Sequence, residues 1–170
     1  MAAETLRPAL VALGANLGEP LAALDAVMLQ LRREAGLLRA SSPWLTAAVG
    51  GPAGQPDYIN AVALLLPPPA LARPAALLDW LLQLELDHGR VRTERWAART
   101  MDLDLLAVGD LVLDEPGLQL PHPRLAERAF VLAPLAELWP GWSHPQSGET
   151  AADLLARQDP AGVTRLQARW

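Results

Sequence analysis

An α+β fold with a central, mostly antiparallel sheet is predicted by three features of the 170-residue chain. Short apolar runs that read as strands are interspersed with helical stretches in a mixed, not strictly alternating, order. Two segments, around 20–31 and 74–87, carry leucines at helical spacing. Gly- and Pro-rich punctuation separates these elements without a composition break, so 1–170 is read as a single domain.

Leu10–Leu13 is a short apolar strand candidate that runs into Gly14-Ala15-Asn16-Leu17-Gly18, read as a turn with two glycines. Glu19-Pro20 opens a helix, with Leu21, Leu24, Val27, Met28 and Leu31 on its buried face. Leu38–Thr46 is read as a second strand, in which Pro43 suits an edge or a bulge. The Ala47–Asp57 run, rich in Gly, Pro and Ala, is a loop that suits a mobile lid or a plain connection. Tyr58–Leu66 is a strand with Tyr58, Asn60, Val62 and Leu64 on one face, stopped by Pro67-Pro68-Pro69. A helix follows from about Pro74 to Asp87, with Leu77, Leu78, Leu81 and Leu84 inward and Gly89 as its stop. Met101–Val108 is the next strand, and Gly109-Asp110 turns into Leu111–Leu113. Pro121-His122-Pro123 is a rigid loop, and 124–138 is helical in parts, with Pro134 breaking or opening it. Ala151–Arg157 is a short helix and Val163–Gln167 a last edge strand.

Composition excludes several functions. Net charge is -5, against a general nucleic-acid or anionic-membrane surface. No apolar run is long enough to span a bilayer, and Met1-Ala2-Ala3-Glu4 lacks a signal-peptide layout, so a cytoplasmic location is expected. There is no cysteine, hence no disulfide and no thiolate metal site. All 14 basic residues are arginine, which removes the P-loop and Schiff-base lysines. The Gly14–Gly18 turn also lacks the third glycine and the spacing of a dinucleotide fingerprint.

The chemistry concentrates between Gly89 and Asp104. Arg90, Arg92, Arg95 and Arg99 gather positive charge in a loop, and Asp102 and Asp104 follow at strand spacing. Guanidinium groups suit phosphate oxygens, and paired carboxylates suit Mg2+. Residues two apart in a strand share a face, which places Met101, Leu103 and Leu105 toward the core. The same spacing also fits an edge strand with a solvated acidic face, and the four arginines also fit a solvated basic loop. Together they point to a metal-bound polyphosphate such as ATP. Trp96 within the arginine loop suits a lid anchor or domain packing. Tyr58 and Asn60 could stack on a heteroaromatic ring and bond its edge, or serve only local structure. Phe130 reads as core, His122 as a lone histidine without a metal partner, and Glu85 as a solvated acid near its helix end.

Several motifs in order give the chain a resemblance to the 6-hydroxymethyl-7,8-dihydropterin pyrophosphokinase family. They are Leu-Gly-Ala-Asn-Leu-Gly at 13–18, Gln-Pro-Asp-Tyr-Ile-Asn at 55–60, Gly-Arg-Val-Arg at 89–92, Glu-Arg-Trp-Ala-Ala-Arg-Thr-Met-Asp-Leu-Asp-Leu-Leu at 94–106, Leu-Pro-His-Pro-Arg at 120–124 and Arg-Ala-Phe-Val-Leu-Ala-Pro-Leu at 128–135. The resemblance implies a ferredoxin-like core. It implies attack of the pterin hydroxymethyl oxygen on the β-phosphorus of ATP, with release of AMP. Asp102 and Asp104 would hold two Mg2+. Thr46, Val49, Tyr58, Asn60 and Phe130 would bind the pterin. Glu85, Arg90, Arg92, Trp96, Arg99, His122 and Arg128 would meet ATP or close over it, and Arg92 and Arg99 would join the two aspartates in catalysis. Loops at 47–57 and 89–98 would be mobile covers. A monomer acting on two small molecules, with no nucleic acid or membrane partner, is implied.

The chain departs from the family pattern at Ala15, at Ala47-Ala48, in the length of the arginine loop, and at Gly117 and Gln119 near the nucleotide. An ordinary kinase that releases ADP and a nucleotide-holding regulatory module are the competing readings. His144, Trp139, Trp142 and the tail receive no role.

Overall fold

The structure is a computed structural model that describes residues 5–48, 53–89, 101–168 and 170. Eight strands and four helices appear among them: β1 Ala9–Ala15, α1 Pro20–Glu34, β2 Leu37–Ala40, β3 Trp44–Thr46, β4 Tyr58–Leu65, α2 Pro74–Asp87, β5 Asp102–Val108, β6 Leu113–Glu115, β7 Leu118–Leu120, α3 Ala129–Leu138, α4 Ala151–Ala156 and β8 Val163–Arg165. A six-stranded sheet runs in the order β5-β1-β4-β3-β8, with β2 also on β4, and every pairing is antiparallel. The β1-α1-(β2,β3)-β4-α2-β5 succession, with β1 and β4 central, is the ferredoxin-like double split crossover that the resemblance implied.

The period-two alternation of the central strands divides the core into two layers. Ala9, Val11, Leu13 and Ala15 of β1, Ala61, Ala63 and Leu65 of β4, and Leu103 and Leu105 of β5 pack beneath α1 and α2. There they meet Leu24, Val27, Met28 and Leu31 of α1 and Leu77, Leu81 and Leu84 of α2. The opposite face presents Leu10, Val62 and Leu106 to Val131, Leu132, Leu135 and Leu138 of α3 and Leu154 of α4. Truncating a fully buried leucine such as Leu81 in such a layer costs about 2–5 kcal/mol.

Several expectations change. The stretch 38–46 is two strands, because Pro43 cannot donate to a ladder and Ser41 supplies a substitute: its Oγ accepts from Val62 N at 3.0 Å. Pro134 lies buried inside a continuous α3 and does not break it. Leu78 is only half-buried, and in the last turn of α2 Glu85 points inward together with Leu84. The strand expected at 111–113 is instead a small hairpin, β6–β7, closed by Pro116-Gly117 with Gly117 at φ 78°. Proline followed by a positive-φ glycine is the sequence signature of a type II turn.

Candidate active site

The site lies where α3 stops short of the sheet. Beyond Leu10, Val62 and Leu106, the same sheet face continues as Ala12 and Gly14 of β1, Asn60 and Tyr58 of β4, and Asp104 and Asp102 of β5. In the register, Gly14 stands opposite both Asn60 and Asp102, and Ala12 opposite Asp104. Small residues at these two positions leave room above the sheet. At Gly14 the room is already taken: a Cβ there would lie 2.5 Å from the Asn60 side-chain oxygen. The residue read as a turn glycine is thus a strand residue whose missing side chain lets Asn60 lie across the sheet.

Asn60 is 8% exposed, and its Nδ2 donates to Oγ1 of buried Thr46 at 2.5 Å. Tyr58 on the same strand and Phe130 in the first turn of α3 bring aromatic faces to the same cavity. This cavity measures about 440 Å³. Its far wall comes from the tail, through Gln158, Asp159, Gly162 and Val163. The Arg128 guanidinium lies 5.5 Å from the Phe130 ring centroid, and its Nη1 is 3.6 Å from Asp104 Oδ2. Buried Asn16 ties the end of the 53–57 loop to this region, donating to Pro56 O at 3.0 Å and to Gln55 Oε1 at 3.3 Å.

A second cleft of about 790 Å³ opens on the other side of the aspartates, between α2 and the β6–β7 hairpin. Asp102, Asp104 and His122 line both spaces and form the wall between them. The cleft also takes Glu85, Asp114, Glu115, Gly117 and Gln119. Glu85 is not the solvated acid read from its place near the helix end: it is 2% exposed, and its Oε1 accepts from Leu103 N at 2.8 Å. That bond ties α2 to the strand between the two aspartates. His122 is held by its own backbone N–H, which donates to Leu106 O at 2.8 Å. Its Nδ1 accepts from Arg124 N at 3.2 Å, leaving Nε2 to carry the proton of the neutral ring. Burial, followed by the positive charge of Arg128, lowers the His122 pKa below 6.5, and the opposing pull of Asp102 does not restore it.

The donors fit a hard divalent cation. Asp102 and Asp104 are half-buried carboxylates on one face of β5, and among the described residues the ionisable groups lining the cleft beside them are carboxylates and one neutral histidine. A polyphosphate entering that cleft needs positive charge brought with it or supplied by the arginine loop. No cluster of three or more His, Asp or Glu that could hold a metal is found among the described residues.

The family model for 7,8-dihydro-6-hydroxymethylpterin-pyrophosphokinase matches residues 10–140. The chain is 41% identical over 156 residues to a 2-amino-4-hydroxy-6-hydroxymethyldihydropteridine pyrophosphokinase of Synechocystis sp., covering 91% of this chain and 78% of that protein. It is 42% identical to the Pseudomonas aeruginosa protein of the same name, over 92% of this chain and 94% of that one. The chain belongs to this pyrophosphokinase family. Its fold is shared with solved Plasmodium falciparum HPPK-DHPS structures. A triple mutant with pteroate gives a TM-score of 0.71 at 12% identity, over 90% of this chain and 43% of that one. The wild type gives 0.69 at 12% identity, over 90% and 45%. This pyrophosphokinase chain therefore spans less than half the length of those proteins.

Of the residues that the family resemblance assigned to the site, the structure brings Thr46, Tyr58, Asn60, Phe130 and Arg128 to the smaller cavity. It puts Glu85 in the larger cleft, and Asp102, Asp104 and His122 between the two. Val49, Arg90, Arg92, Arg95, Trp96 and Arg99 lie outside the described residues, as do 49–52 and 90–98 of the two loops expected to cover the site. Sequence reasoning missed three contributors to these two spaces: the hairpin form of β6–β7, although Gly117 and Gln119 were placed near the nucleotide, the tail at 158–163 and the close approach at Gly14. The Pro116-Gly117 pair was the available signal for the first. The other two depend on partners distant in sequence.

Proposed function

We propose that the chain transfers diphosphate from ATP to the hydroxymethyl group of 6-hydroxymethyl-7,8-dihydropterin, releasing AMP, in folate biosynthesis. The reading is carried by one observation: two spaces of different size and polarity meet at Asp102, Asp104 and His122. The smaller takes the pterin. Tyr58 and Phe130 supply faces for the ring, and the coupled Thr46–Asn60 pair offers fixed polar atoms to its edge. The larger takes ATP, and Glu85, Arg90, Arg92, Trp96, Arg99, His122 and Arg128 are assigned to the nucleotide.

Asp102 and Asp104 are the residues that would hold Mg2+, two ions in all, which supply charge neutralisation for the phosphates. The chain's own part is positioning. Asp102 and Asp104 stand at the junction of the two spaces, so a hydroxymethyl group at the end of the smaller one faces a phosphorus at the end of the larger. The oxygen–phosphorus bond forms at the β-phosphorus. The bond from that phosphorus to the α–β bridging oxygen breaks, and the hydroxyl proton passes to solvent. Arg128, beside Asp104, and Arg92 and Arg99 offset negative charge as it moves to the leaving AMP. Neutral His122 adds its Nε2–H as a donor without adding charge.

A monomer acting on two small molecules is carried over from the family resemblance, and no helix among the described residues is long and apolar enough to cross a membrane. A cytoplasmic location is retained from the composition.

Phosphorus NMR of the protein with ATP, Mg2+ and 6-hydroxymethyl-7,8-dihydropterin tests the reaction. Pterin-dependent AMP and a pterin diphosphate are expected. ADP would make it an ordinary kinase, and unchanged ATP with both ligands bound would make it a binding module.

A further inference from the structure

Thr46, whose hydroxyl receives the Asn60 amide, sits at the end of the three-residue strand β3. So short a strand makes few ladder bonds of its own, though it is paired with β4 and β8. Its entry is held in addition by a carboxylate on the far end of α3. Glu137 Oε1 accepts from Ser42 Oγ at 2.7 Å and from Ser42 N at 3.2 Å, and Oε2 accepts from the Trp44 indole at 2.7 Å. Arg165 of β8 completes the ring: its Nη2 is 3.2 Å from Glu137 Oε1, and its Nε donates to Ser42 Oγ at 3.0 Å. One carboxylate thus joins α3, the entry to β3, and β8.

Each of these three elements also carries a wall of the smaller cavity. α3 brings Phe130, β3 ends in Thr46, and β8 begins with Val163, the register partner of Thr46. Ala47, next to Thr46, donates from its backbone to Gly162 O at 2.9 Å, and both line the cavity. Trp44 and Thr46, two apart, share the strand face that looks toward α3, so a shift at Trp44 is carried directly to the Thr46 hydroxyl. Burial alone would raise the Glu137 pKa. The hydrogen bonds from Ser42 and Trp44, with the Arg165 charge, outweigh burial and keep it below the ordinary carboxylate value, so the group is charged at neutral pH.

We propose that Glu137 and Arg165 are positioning residues for the pterin, acting through β3 to set the Thr46–Asn60 pair. The proposal rests on the assignment of the smaller cavity to the pterin. It gives the tail, beyond the residues matched by the family model, a part in substrate recognition.

Steady-state kinetics with both substrates varied, on Glu137→Ala, Glu137→Gln, Arg165→Ala and Asn60→Ala, tests it. In Glu137→Ala the pterin KM is expected to rise about tenfold while the ATP KM and kcat stay within about twofold. Glu137→Gln keeps one acceptor oxygen, enough for either the Ser42 or the Trp44 donors but not both, and should recover part of the loss. Arg165 is largely exposed, so Arg165→Ala tests the clamp without risk to folding and should shift the pterin KM in the same direction by less. Equal rises in both KM values, or a lowered melting temperature with an unchanged pterin KM in Glu137→Ala and Arg165→Ala, would overturn the proposal. The Asn60→Ala variant separates the two levels. A raised pterin KM there, beside unchanged values in the other variants, sinks the clamp alone. An unchanged one sinks the cavity assignment and the clamp with it.

Discussion

The two faces of the central sheet use the same strands for different ends. Under α1 and α2 the face is apolar along its whole length, from Ala9 to Ala15 on β1 and from Leu65 to Ala61 on β4. Under α3 the face is apolar for only half that length and then changes to Gly14, Asn60, Asp102 and Asp104. One face is given over wholly to holding the fold together. The other relies on that stability to keep polar side chains in place where no helix covers them. The exception sharpens the contrast: Glu85 is a charged residue on the apolar side, and it is there to hold the strand whose aspartates point the other way.

The largest expected effect comes from removing charge on the open face. Asp102→Ala or Asp104→Ala should lower kcat by about a hundred- to a thousandfold, with circular dichroism and melting temperature little changed. A variant that kept full turnover would remove these carboxylates from the chemistry. Gly14→Ala comes next. Its Cβ would lie 2.5 Å from the Asn60 oxygen, and overpacking of this kind costs about 1–3 kcal/mol, or up to about a hundredfold in pterin affinity. Isothermal titration should show that loss for the pterin and not for ATP. Were both to weaken alike, the two spaces would not be separable.

On the covered face, Glu85→Leu leaves the Leu103 N–H without its acceptor and should cost about 1–3 kcal/mol of stability. Glu85→Gln retains an acceptor oxygen and should lose less. Denaturant midpoints decide between them, and identical losses would show that the backbone bond is not what matters. The smallest effect is one of pH. Because the folded-state pKa of His122 lies below 6.5, the unfolded chain takes up the proton more readily. The stability associated with the neutral ring is complete above pH 6.5 and is lost as pH falls through the lower folded value. NMR titration of the ring should locate a midpoint below 6.5. A midpoint above it would mean that burial and Arg128 do not govern the ring.

What was legible in the sequence followed from local patterns. Pro74–Asp87 emerged with its observed bounds because its leucines recur at helical spacing between a proline and a glycine. Asp102 and Asp104 could be placed on one face because strand geometry depends only on neighbours. The split at Ser41–Pro43 and the continuity of α3 through Pro134 were harder to read, since in each case a proline was weighed without its tertiary surroundings. Glu85 and Glu137 illustrate the limit. Each is an ordinary helical acid by local rules, and each is defined by donors elsewhere: Leu103 for the first, Ser42, Trp44 and Arg165 for the second. The β6–β7 strands, at three residues each, are too short to show any periodicity.

The shared wall of Asp102, Asp104 and His122 has a thermodynamic consequence. With the two spaces assigned as proposed, both ligands bear on the same charged groups, and their affinities are linked. Whatever factor the nucleotide applies to pterin binding, the pterin applies to nucleotide binding, because both routes to the ternary complex end at the same free energy. Three side chains on one strand and one loop thus make the two halves of the reaction report on each other before any bond is broken.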